Sequence, residues 1–252
     1  MTAPLVFLPG WCLGRGPLIG AVDALNGKIF DLPGYRAPQA KGPVAQVPLG
    51  CDAQLIEDFY AAADNIAARL QPGTTLAGWS LGAQLALAVA ARAQVKVGKL
   101  LLVAGTASFV QRDGWPHAMP PEMLAEFAGN VASDVEAMLP RFVGSFNRGD
   151  ARAKEVTRRL LELADPLPSA ATLATGLGWL RDVDLRPLAP QVKAPTLLIH
   201  GAADPLMPLA AAKALAALIP GAQLEAFAEC AHAPFISRPD DFLARVQAFL
   251  HE

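Results

Sequence analysis

The sequence is short of the features that mark several protein classes. It holds three cysteines in 252 residues. Cys12, Cys51 and Cys230 are widely spaced and form no C-x-x-C pair, which argues against both a disulfide framework and a thiolate zinc site. No apolar run approaches the roughly 20 residues that a membrane-spanning helix needs. The N-terminal MTAPLVFLPGW has no basic segment and too short an apolar run for a secretory signal, so a cytoplasmic protein is expected. Charge is sparse too: 17% of residues are charged and the formal net charge is -2, a poor balance for coating nucleic acid. Histidine is scarce, with four in the chain, and that scarcity narrows the choices below.

What the chain does have is apolar residue, 53% of the total, in a length that supports one large domain with a substantial core. Short apolar runs bounded by Gly and Pro recur at 5–8, 28–32, 74–77, 99–104, 196–200 and 223–228. Continuous apolar character over so few residues is the mark of parallel strands buried on both faces. Helical patterns at 55–70, 83–93, 209–219 and 240–250 alternate with them, which predicts an α/β fold: a mostly parallel sheet with helices on both faces. Between about 107 and 190 the alternation stops. The sequence there reads as helices only, at 121–129, 133–146, 151–164 and 169–180, punctuated by NRGD (147–150) and DPLP (165–168). We expect core segments at 1–106 and 191–252, with a helical lid at 107–190 inserted between two strands.

The stretch LAGWSLGAQLA, 76–86, places a serine between two glycines where a strand pattern becomes a helix pattern. G-x-S-x-G in that context is a nucleophile elbow, the glycines allowing the sharp turn that lifts the Ser80 hydroxyl above the sheet. A small serine packing a tight turn is the alternative. A serine hydroxyl needs a base, and the base an orienting carboxylate. Of the four histidines, His117 falls in the helical segment, His200 ends a buried strand and reads as a core residue, and His251 is at the terminus. His232, in CAHAP after the last strand, is on a loop past a strand's carboxyl end, where open parallel sheets build their sites. Asp204, in the turn HGAADP, completes the order Ser80, Asp204, His232. The oxyanion formed in acyl transfer needs two N–H donors; Leu81, next to the nucleophile, and Trp11, in the loop after the first strand, are the candidates.

Taken together, LPGW (8–11), DLPGY (31–35), GWSLG (78–82), RDGWP (112–116), DVDLRPL (182–188) and AHAPFISRP (231–239) resemble the α/β-hydrolases. More narrowly, they are similar to the carboxylesterases of biotin synthesis that remove a methyl ester from a pimeloyl chain held on acyl carrier protein. The resemblance implies Ser80, Asp204 and His232 as catalytic residues and Trp11 and Leu81 as the oxyanion hole. It also implies that Trp11 and the segment Phe142, Val143, Gly144, Ser145 and Phe146 line an acyl pocket, with no cofactor or metal required. For Phe142 and Phe146 a second reading is open, an i,i+4 pair that packs its helix onto the core. The sequence departs from the family in placing Pro9 where many members have histidine, and in starting directly at the LVFLP strand, which predicts a shortened sheet.

Arg141, Arg148, Arg152, Lys154, Arg158 and Arg159 face only Asp150 and Glu155 over the same span. Such a patch is suited to docking an acidic acyl carrier protein, and equally describes a solvated helix face. The expected partner is thus the carrier protein, with no nucleic acid or membrane, and the chain is expected to act as a monomer. Short free esters, a lactone or a thioester are alternative substrates, since the triad serves any acyl transfer. A fold reused for binding alone would dispense with a triad member, and all three are present.

Overall fold

Six apolar segments pair side by side in one sheet, all parallel, in the order β2-β1-β3-β4-β5-β6. The computed structural model describes residues 3–35 and 53–252, so Cys51 lies outside the described residues. In chain order the elements are β1 (Leu5–Leu8), α1 (Ile19–Ala24), β2 (Lys28–Ile29), α2 (Ala53–Arg69), β3 (Thr74–Trp79), α3 (Leu81–Arg92) and β4 (Val97–Val103). Then come α4 (Pro121–Ser133), α5 (Val135–Phe146), α6 (Ala153–Leu163) and α7 (Ala170–Asp182), followed by β5 (Thr196–Gly201), α8 (Leu209–Leu218), β6 (Gln223–Phe227), α9 (Pro234–Ser237) and α10 (Pro239–His251).

Every residue of β1, β3 and β5 is buried, which is why their sequences are apolar without alternation. The edge strands β2 and β6 are partly exposed. β2 is shorter than its apolar run: after Ile29 only the Phe30 N–H still bonds across, to the Phe7 carbonyl, before Pro33 enters a turn closed by the Tyr35 N–H on Leu32. α3 is buried from Leu81 to Ala91, so it reads as apolar on all sides and packs between the sheet and α2.

The strand order sets the place of the site. From β1 the chain moves outward to β2, then crosses back to lay β3 on the other side of β1 and proceeds to β4, β5 and β6. The loops leaving the carboxyl ends of β1 and β3 therefore diverge and leave a crevice between them, where open sheets bind their ligands.

Helices α4 to α7 lie between β4 and β5, as the loss of alternation foretold. The neck of this insertion is closed by pairing its two ends: Ser108 bridges Asp184, and the Leu185 N–H donates to the Ala107 carbonyl at 2.8 Å. The RDGWP and DVDLRPL motifs build that neck. Arg112 donates to the Ser108 hydroxyl and the Arg181 carbonyl, Trp115 donates its indole N–H to the Ser108 carbonyl, and Arg186 grips Asp184 and the Asp113 carbonyl. Burial pushes the Asp184 carboxyl upward, but the Arg186 bonds prevail and hold it below the usual carboxylate range.

Candidate active site

β3 runs directly into α3 with only Ser80 between them. Ser80 takes φ 57° and ψ -118°, a conformation costly for a residue with a Cβ. The flanking glycines do a different task from the one expected of them. Their φ values are not positive; instead, a Cβ on Gly78 would sit 2.1 Å from the Gly82 carbonyl oxygen, and one on Gly82 2.3 Å from that of Leu8. The turn belongs to the serine, and the glycines let helix and strands close around it. The Ser80 N–H donates to Val103, and its carbonyl accepts from Ala83 and Gln84. Its hydroxyl makes no hydrogen bond among the described residues.

His232 and Asp204 come from the loops after β6 and β5. The His232 Nδ1 lies 2.7 Å from Asp204 Oδ2, with both side chains almost fully buried. The other Asp204 oxygen accepts from the Leu206 and Met207 N–H groups, so the carboxylate is held on both sides. The His232 ring is packed between Trp79 and Phe146, at centroid distances of 5.7 and 5.1 Å. His200 is buried as expected of a core residue, and its Nε2 bonds the Met207 carbonyl, but its Nδ1 is unpartnered. Burial pushes its pKa down, although Asp204 Oδ2 stands 3.7 Å away.

Leu81 opens α3, where the first N–H groups have no acceptor within the helix. Across the crevice, Gly10 lies so close that a Cβ there would stand 3.3 Å from the Ser80 Cβ. Trp11 follows it, its indole N–H donating to the Leu173 carbonyl of α7 at 3.0 Å, so its side chain is committed. Cys12, at φ 64°, donates its N–H to the Tyr35 hydroxyl and fixes the same turn. Burial pushes the Cys12 thiol upward and the Cys230 thiol to about 12, which leaves both unreactive beside the site.

Ser80 and His232 line one cavity of about 190 Å³ with Gly10 and Trp11. Its walls are apolar. Phe142, Ser145 and Phe146 of α5 line it, whereas Val143 and Gly144 do not: helical periodicity turns Val143 into the core and Gly144 to solvent. Leu81 is likewise absent from its lining. Phe142 lines the cavity and also packs its helix, meeting Trp11 and Phe146 edge-on and Phe127 at a tilt. The sequence reading did not single out Met119, bridged to Val110 ahead of α4, or Met123 and Phe127 of α4 and Leu177 and Leu180 of α7; the helical four carry only the ordinary signal of an amphipathic helix face.

A family model described as the alpha/beta hydrolase family matches residues 5–246. The chain belongs to the alpha/beta hydrolase family. Within that family, it is 35% identical over 247 residues to a pimeloyl-[acyl-carrier protein] methyl ester esterase of Nitrosomonas europaea, covering 95% of this chain and 92% of the other. A protein of the same description from Aromatoleum aromaticum is 35% identical, with 94% of each chain covered. Among solved structures, an esterase from Exiguobacterium antarcticum superposes with a TM-score of 0.82 at 24% identity, covering 100% of this chain and 94% of that one, which shows the shared fold.

The basic patch is less bare than its own span suggests. Arg152 pairs with Glu155, and Arg158 and Arg159 both pair with Glu162, just beyond the stretch whose charges were compared. Arg141 and Arg148 have no carboxylate partner among the described residues. Among those residues no helix is long and apolar enough to cross a membrane, and no three His, Cys, Asp or Glu side chains cluster to hold a metal ion.

Proposed function

We propose that the chain is a serine carboxylesterase that hydrolyses the methyl ester of a pimeloyl chain carried on acyl carrier protein in the cytoplasm, with residues 107–190 as a lid over the acyl pocket. The observation that carries the reading is the buried His232–Asp204 pair, 2.7 Å apart, beside the strained Ser80 at the end of an apolar cavity. The esterase description of the relatives at 35% identity supports the substrate class.

In this reading His232 Nε2 takes the Ser80 proton as the hydroxyl oxygen attacks the ester carbonyl. The main-chain N–H groups of Trp11 and Leu81 stabilise the oxyanion; losing one such donor costs about two to three decades in rate. The imidazolium, steadied by Asp204, then protonates the departing methoxide, and methanol leaves. Water enters, gives its proton to His232 and splits the acyl-Ser80 ester, which frees the pimeloyl carboxylate and restores the serine. Apolar walls suit a neutral acyl chain and disfavour retention of the carboxylate product.

In this reading Arg141 and Arg148, together with Arg152, Arg158 and Arg159, form the face for an acidic carrier protein. A second reading, a general hydrolase of short esters or lactones, is favoured by the pairing of Arg152, Arg158 and Arg159 with glutamates, which weakens that face.

Methanol release from methyl-pimeloyl carrier protein and from free dimethyl pimelate at matched concentration, with Ser80→Ala as blank, separates the two. Preference for the carrier-bound ester, lost on Arg141→Glu with Arg148→Glu, is the expected result. Equal rates on both esters would select the general hydrolase.

A further inference from the structure

A buried carboxylate outside the catalytic set ties the helical insertion to the histidine loop. Asp150 sits in the turn Gly149, Asp150, Ala151 that joins α5 to α6, and is 7% exposed. One of its oxygens accepts from the Arg152 N–H at 2.8 Å, inside the insertion. The other accepts from the Ala231 N–H at 2.9 Å, immediately before His232. The turn is pressed onto both loops that supply the proton-transfer pair. The Ala151 N–H donates to the Glu229 carbonyl at 2.9 Å, and a Cβ on Gly149 would stand 3.2 Å from that of Ala203, the neighbour of Asp204.

A buried anion is an expensive way to fill a turn. The nearby Arg152 guanidinium is committed to Glu155 and the Ser237 carbonyl. What aspartate offers here, and asparagine or serine does not, is two acceptor oxygens that bridge N–H groups of two separate segments in charge-assisted bonds. His232 is otherwise held at Nδ1 by Asp204 and at its carbonyl by the Trp79 indole. The main chain leading into it is held by the Ala203 N–H on the Cys230 carbonyl and, at the last residue before the histidine, by the Asp150 bond to the Ala231 N–H.

We propose that Asp150 is a positioning residue for His232: its carboxylate fastens the α5–α6 turn to the Ala231–His232 backbone and so sets the imidazole for proton transfer. This rests on the reading of Ser80, His232 and Asp204 as the catalytic groups. It also makes the lid face bearing Arg148 mechanically continuous with the base.

The test exploits the leaving group. A methoxide needs the proton that His232 delivers, whereas a p-nitrophenolate departs without one. A displaced imidazole therefore penalises a methyl ester more than the p-nitrophenyl ester of the same acid. The kcat/KM of both esters would be measured for wild type, Asp150→Ala and Asp150→Asn, normalised to sites titrated with a fluorophosphonate. For Asp150→Ala we expect a loss of roughly thirtyfold on the methyl ester and about threefold on the p-nitrophenyl ester, part of the roughly hundredfold or more that complete acid-base assistance supplies. Asp150→Asn, which keeps one acceptor, should fall between and serves if the alanine variant does not fold. An equal loss on both esters per titrated site, or no loss, overturns the proposal, since a purely structural role lowers the number of sites and leaves the ratio unchanged. If Ser80→Ala retains wild-type activity, it is the catalytic reading that fails instead.

Discussion

The Trp79 indole N–H donates to the main-chain carbonyl of His232 at 2.9 Å, so the residue between Gly78 and Ser80 ties the strand bearing the serine to the loop bearing the histidine. The same ring meets Phe235 edge-on at 5.0 Å. Trp79→Phe keeps part of that packing but leaves a buried carbonyl without its donor. We expect urea unfolding to show a loss of about 2–3 kcal/mol; a change below about 0.5 kcal/mol would mean that the bond is dispensable.

The glycines divide into two groups with opposite responses to alanine. Gly82→Ala puts a methyl group against the Leu8 and Pro9 carbonyl oxygens, at 2.3 and 2.4 Å, and should yield insoluble protein. Gly129 in α4 and Gly144 in α5 have nothing within 4 Å of such a methyl. Alanine at either exposed helical site should raise stability by roughly 0.5–1 kcal/mol, read from the denaturant midpoint.

Ser80 holds φ 57° with a Cβ attached. Glycine bears no penalty there, and residues held in such conformations cost about 1–3 kcal/mol. Ser80→Gly should therefore unfold at higher denaturant than Ser80→Ala, by about 1 kcal/mol after the entropy lost by glycine, while both are inactive. Equal stability would show that the elbow is unstrained.

His200 gives stability a slope in pH. Burial lowers its pKa in the folded protein, so the unfolded chain binds the proton more readily. The contribution is present above the unfolded histidine value of about 6.5 and is lost as pH falls below it, at up to about 1.4 kcal/mol per unit. His200→Gln retains a donor for the Met207 carbonyl and removes the titration. Urea midpoints at pH 7.5 and 5.5 should differ more in wild type than in this variant, and parallel slopes would remove His200 from the account.

The sheet, the insertion and the candidate trio Ser80, Asp204 and His232 were legible because each leaves a local signal. Buried parallel strands read as short apolar runs, the elbow as spaced glycines, and the order of Ser80, Asp204 and His232 as a pattern along the chain. α1 and α9 were missed, having only 6 and 4 residues, too few for a helical period to show. Contacts that bind distant segments were illegible for a different reason. Nothing local to Asp150 names Ala231 as its partner, and Glu162 neutralises Arg158 and Arg159 from just beyond the span in which charges were compared. RDGWP and DVDLRPL carried the resemblance, yet their side chains are spent on closing the neck.

That neck has a consequence for descent. Because residues 107–108 and 184–185 are fastened to one another, the sheet presents to the insertion nothing more than two adjoining chain ends. Whatever helices are hung between them leave the register of β4 and β5 untouched. A lineage is thereby free to remodel the α4–α7 module, and with it the wall that the module gives to the cavity at Ser80, while the strands stay in place. The seams that such an exchange must re-stitch include the turn at Asp150, the Trp11 bond to Leu173 and the Asp165 bonds to Leu13 and Arg15.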